Sequence, residues 1–99
     1  MEKRTPHSKL SRVHQLVKAG AVRATFSALD GAAAMGCCRL ADMCAVVLAL
    51  KPTDFYKSMT THGDHTIWQD VYRPSTPWGR LYLKLTVVDE VLIVSFKEL

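Results

Sequence analysis

The sequence predicts an α+β fold in which N-terminal helices pack on one face of a C-terminal antiparallel sheet and leave the other face open. Two observations carry this expectation. Before Pro52 the apolar residues recur at helical spacing, and from Asp54 onward they alternate with a period of two. The length of 99 residues with 48% hydrophobic content fits one compact domain, residues 1–99, with a modest core.

Pro6 to Ala19 reads as the first helix, with Leu10, Val13, Leu16 and Val17 forming an apolar stripe and Gly20 ending it. Lys9, Arg12 and Lys18 lie off that stripe, and His14 sits at its edge as a packing residue. Val22-Arg23-Ala24 is a short extended link. Thr25 or Ser27 can cap a second helix, and the alanine-rich run Ala28 to Met35, with Gly31 inside it and Gly36 after it, should pack closely on a neighbour. Leu40 to Leu50 is apolar almost all round, the pattern of a central buried helix, and Pro52 forbids its continuation.

Strands follow. Phe55, Lys57 and Met59 alternate with Tyr56, Ser58 and Thr60. In Ile67 to Arg73 the residues Ile67, Gln69, Val71 and Arg73 fall on one face and Trp68, Asp70 and Tyr72 on the other. Ser75-Thr76-Pro77-Trp78-Gly79 is a turn-rich connection. After it Leu81, Leu83, Leu85 and Val87 should face the helices, which sends Tyr82 and Lys84 to the open face. Asp89-Glu90 turns into a last strand in which Leu92, Val94 and Phe96 alternate with Val91, Ile93, Ser95 and Lys97, so that Lys97 joins Tyr82 on the open side.

The longest apolar stretch, Ala41 to Leu50, is about half of the ~20 residues that a membrane span requires. The charged start Met1 to His7 has no apolar segment behind it, unlike a secretory signal, so the cytoplasm is the expected location. Cys37, Cys38 and Cys44 are odd in number and two are adjacent, which suits small packing residues better than a disulfide framework or a metal knuckle. Residues 1 to 50 carry seven Lys and Arg against three acidic residues, whereas the second half carries six of each. The basic half could attract a polyanion or an acidic partner, while the charges of the second half look individually placed.

Two runs bring reactive side chains together: Asp54-Phe55-Tyr56-Lys57-Ser58-Met59-Thr60-Thr61, and Asp64-His65-Thr66-Ile67-Trp68-Gln69-Asp70-Val71-Tyr72-Arg73-Pro74. With the opening Met1-Glu2-Lys3-Arg4-Thr5-Pro6-His7 and the ending Val91-Leu92-Ile93-Val94-Ser95-Phe96-Lys97-Glu98, they make the chain resemble the motility quorum-sensing regulator (MqsR) family of bacterial toxins over nearly its whole length. The resemblance implies a RelE-like ribonuclease toxin fold and a messenger-RNA endoribonuclease of GCU-type preference that leaves a 2′,3′-cyclic phosphate. It also implies a neutralising antitoxin that binds zinc and DNA (MqsA-like), with operator DNA reached only through that partner. The sequence departs from the family pattern at His62, where tyrosine is usual, and in Gly36-Cys37-Cys38-Arg39.

By the same resemblance the residues associated with activity are Lys57, Gln69, Tyr82 and Lys97. They come from four different strands and are expected to converge on one patch of the open face. Cleavage without a metal needs a proton acceptor for the 2′-hydroxyl, cations for the phosphorane and an acid for the leaving oxygen. Lys57 and Lys97 would supply charge, and two neighbouring ammonium groups are expected to push each other toward the neutral form. Tyr82 is the candidate acid or base, Gln69 would orient substrate by hydrogen bonding, and Arg73 would meet a neighbouring phosphate. His65 is a second candidate for substrate contact or proton transfer, although Asp64-His65-Thr66 reads equally as a turn with His65 packed beside Trp68. No metal or cofactor is expected, since His62, Asp64 and His65 lack a fourth ligand. The competing class is a basic module that binds RNA or protein and catalyses nothing.

Overall fold

The computed structural model describes residues 1–99, and its order of elements bears out helices first and strands after. Three helices, α1 (Leu10–Lys18), α2 (Phe26–Ala34) and α3 (Leu40–Leu48), cover one face of a sheet. Its strands are β1 (Glu2–Lys3), β2 (Val22–Ala24), β3 (Phe55–Thr60), β4 (Trp68–Tyr72), β6 (Gly79–Val87) and β7 (Val91–Glu98), in the order β1-β3-β4-β6-β7-β2, with the short β5 (Ser75–Thr76) pairing β6. A 3-10 turn at Pro52–Asp54 joins the two halves. No helix is long and apolar enough to cross a membrane.

The sheet is antiparallel except where β2 lies parallel to β7, so the expected extended link is an edge strand. Thr25 closes that junction: its hydroxyl donates to the Val94 carbonyl and accepts from the Ala28 amide, which caps α2 as expected. Gly31 brings α2 onto β7 so closely that an added Cβ would fall on the Phe96 carbonyl, far inside van der Waals contact.

Three expectations need correction. The first helix begins at Leu10 rather than Pro6, because the His7 and Ser8 amides donate to the Asp70 carboxylate, at 2.9 and 3.0 Å, instead of entering a helical turn. Helix α3 is not a central buried element. Met43, Val46 and Val47 face the core, but Leu40 is 41% exposed and Leu48 36%, so one side meets solvent. The last strand is not evenly alternating either. Leu85 pairs with Ile93 and Lys84 with Ser95, so Val94 is an extra, bulged residue. Val91 and Ile93 therefore face the core together with Phe96, and Lys97 still reaches the open side. The leucines Leu81, Leu83 and Leu85 are buried against the helices as expected.

Candidate active site on the open sheet face

Register carries the open-face side chains into rows. Lys57 pairs with Val71, Val71 with Lys84, and Lys84 with Ser95, so one row crosses β3, β4, β6 and β7. In the neighbouring rows Met59 pairs with Gln69, and Tyr82 with Lys97. The four sequence-predicted residues Lys57, Gln69, Tyr82 and Lys97 thus share one face. The Lys97 ammonium lies 5.3 Å from the centre of the Tyr82 ring and that of Lys84 5.8 Å from it. Val71 is fully buried although it points away from the helices. It lies between Lys57 and Lys84, whose aliphatic stems are the natural cover for it.

A second bulge shapes the edge of this face. Phe55 pairs with Tyr72 but Lys57 pairs with Val71, so Tyr56 is the extra residue and its ring stays beside Lys57. Three cations approach the exposed Tyr56 ring: Arg73 at 4.5 Å, with Arg4 and Lys57 each at 5.5 Å. Beyond Arg73 a cavity of 610 Å³ opens toward α3, with Lys51, Asp54, Trp78 and Arg80 in its lining. The buried Nε of Arg73 has no hydrogen-bond partner.

The ion pairing corrects the expected behaviour of Lys57. Glu2 reaches across from β1 and accepts from the Lys57 ammonium at 2.5 Å. That hydrogen bond raises the Lys57 pKa above the ordinary lysine value and lowers that of Glu2 below the usual carboxylate one. The lysine pushed toward neutrality is Lys84, first by burial and then by the positive charges of Lys97 and Lys57. The sequence had placed Lys84 on this face without assigning it a role. The signal was there: its parity matches Tyr82, and its neighbours in register are Val71 and Ser95.

The loop after β3 is a turn, as one of the two readings of Asp64-His65-Thr66 expected. The Asp64 carboxylate accepts from the Thr66 amide at 2.8 Å and from its hydroxyl at 2.6 Å, and both bonds lower the Asp64 pKa. His65 is exposed on this loop and is not gathered with the four strand residues. The histidine stacked on Trp68 is instead His7, with ring centres 5.5 Å apart, and the Lys3 ammonium also lies over that indole at 4.1 Å. No group of three or more His, Cys, Asp or Glu side chains is placed to hold a metal ion.

Other candidate chemistry belongs to the framework. Cys37 is buried and Cys38 exposed, and burial raises the thiol pKa of Cys37 and of Cys44, which opposes nucleophilic behaviour. Tyr72 packs edge-on against Phe55, and burial pushes its phenol up to about 12. His14 joins α1 to α3 through its Nε2, 3.0 Å from the Val47 carbonyl, in the packing role expected.

Residues 5–98 match the family model described as "Motility quorum-sensing regulator, toxin of MqsA". The chain is also 60% identical over 98 residues to the mRNA interferase toxin MqsR of Escherichia coli (strain K12), an alignment that covers 99% of each protein.

Proposed function

The chain belongs to the motility quorum-sensing regulator toxin family, and on that premise we propose that it is an endoribonuclease that cuts messenger RNA, preferentially at GCU-type sites, without a metal ion. The observation that carries the reading is the convergence of Lys57, Gln69, Tyr82 and Lys97 from four strands onto one open, cation-rich face.

The reaction is a transesterification. The ribose 2′-hydroxyl gives up its proton, its oxygen bonds to phosphorus, and the bond to the 5′-oxygen breaks with its electron pair. That oxygen then takes a proton, leaving a 2′,3′-cyclic phosphate and a 5′-hydroxyl. Tyr82, with cations against its ring, is the proton carrier. Lys57 and Lys97 bear on the phosphate, where ammonium groups take the charge that develops in the phosphorane. Gln69 orients the 2′-hydroxyl or a phosphate oxygen, Arg73 holds a neighbouring phosphate, and His65 meets the RNA from the loop. Glu2 competes with the phosphate for Lys57 and is displaced when RNA binds. Substrate places the protein in the cytoplasm, and a cognate zinc-binding antitoxin that also reads operator DNA holds it inactive.

The test is incubation of the purified chain with GCU-containing RNA in excess EDTA, with the cut sites and the new 3′ ends mapped. Cyclic-phosphate ends at defined positions, lost in Lys97→Ala with the fold retained, are expected. Intact RNA with folded wild-type protein overturns the reading in favour of a non-catalytic binding module.

A further inference from the structure

We propose that Lys84 is a further catalytic residue of this site, placing its ammonium on the non-bridging oxygens of the scissile phosphate between those of Lys57 and Lys97. The assignment rests on the RNA-cleaving reading above and adds to it the group at the centre of the patch.

The argument is one of position. Lys84 shares the row of Lys57, separated from it by Val71 alone, which sets their Cα atoms about 10 Å apart. Tyr82 precedes it by two residues on the same strand and face, about 7 Å away. Lys97 pairs with that tyrosine, and Gln69 stands two residues from Val71 on β4. Every one of the four sequence-predicted residues is thus a direct or diagonal neighbour of Lys84, or is one strand removed in its own row. A phosphate within reach of all four lies above Lys84.

Its electrostatic situation is also distinct. The ion pairs of the chain join Arg23 to Glu90, Arg39 to Asp42 and Lys57 to Glu2, and none takes Lys84 or Lys97. Lys84 is half-buried, lacks a carboxylate and faces two other ammonium groups. Such crowding of like charge is unfavourable in the free protein and is relieved by an anion. It is relieved most by the phosphorane, which carries more negative charge than the ground-state diester. Lys84 transfers no proton in this scheme. The bonds made and broken are those of the transesterification, and the ammonium only bears on the oxygens that gain charge.

The experiment compares wild type, Lys84→Met and Lys84→Arg in single-turnover cleavage of the GCU RNA. Affinity for the same RNA with a 2′-deoxy residue at the cut site is measured in parallel. Methionine keeps an unbranched apolar stem beside Val71, the register partner of Lys84, so the fold should persist; Lys84→Gln serves with the same expectation if it does not. Removing the charge should slow cleavage by about 10²-fold or more, with affinity for the uncleavable RNA falling by less than about tenfold. Arginine should restore part of the rate. Cleavage by the neutral variants within about threefold of wild type, or a loss of rate no larger than the loss of affinity, overturns the Lys84 assignment alone. Failure of the wild-type protein to cut the RNA overturns both readings.

Discussion

Asp70 and Lys84 sit on adjacent strands of one sheet, yet their surroundings differ in kind. Asp70 points to the covered face and is 4% exposed, with the amides of His7 and Ser8 and the hydroxyl of Ser58 all donating to its carboxylate. Its charge is fully used in tying the N-terminal segment across β3 and β4. Lys84 points to the open face, where register lines it up with Lys57 and near Lys97, and no carboxylate answers it. The carboxylate of the first site is met by three internal donors, whereas the second site holds charge in reserve for a ligand. A buried acid in a reactive-looking motif is therefore architectural here, and an unremarked lysine on a regular strand stands where chemistry is expected.

The covered face should fail most severely when its close approaches are broken. Gly31→Ala drives a methyl group into the Phe96 carbonyl and must separate α2 from β7, so a loss above about 4 kcal/mol is expected. Urea denaturation followed by circular dichroism measures it. A variant of near wild-type stability would show that α2 can shift without cost. Asp70→Ala should come next, at about 3 kcal/mol, because it orphans two amides and leaves the buried Ser58 hydroxyl with the Thr5 carbonyl alone. Hydrogen exchange should place the first loss of protection at His7 and Ser8. If stability falls by less than about 1 kcal/mol, the latch is not what holds the N-terminal segment.

Much of this contrast was legible in the sequence. The two-residue period sent Leu81, Leu83 and Leu85 inward and Tyr82 outward, and the Thr25 cap and the close packing of the Gly31 helix could be read locally. What stayed hidden depends on partners far away in the chain. The bulges at Tyr56 and Val94 slide the period by one residue, and only the opposing strand reveals them. The late start of α1 follows from a carboxylate more than sixty residues away, and Val22–Ala24 becomes a strand only by pairing with the equally distant β7. The charge tally misled for the same reason. The second half sums to zero, but folding gathers Lys57, Lys84 and Lys97 on one face and leaves Asp70 on the other.

The smallest effect expected has the opposite sign. Around Lys84 stand Lys57 from β3, itself paired with Glu2, Lys97 from β7, Tyr82 on its own strand and the uncharged Val71 from β4. Burial and the two cations lower its pKa in the folded chain from the ordinary 10.5. Between the folded and unfolded values the unfolded chain binds the extra proton, so stability attributable to this residue rises with pH across that window. Below the window the cost of holding the charge is at its full size. Lys84→Met should therefore be more stable than wild type at neutral pH, by about 0.5 kcal/mol once solvent screening of a half-buried charge is allowed for. The advantage should shrink as pH approaches 10.5, which paired thermal melts at neutral and alkaline pH would detect. A methionine variant less stable than wild type at neutral pH would mean that the stem of Lys84 matters more to Val71 than its charge costs the sheet. The contrast between a carboxylate met by internal donors and a face holding unspent charge would then be wrong at its central residue.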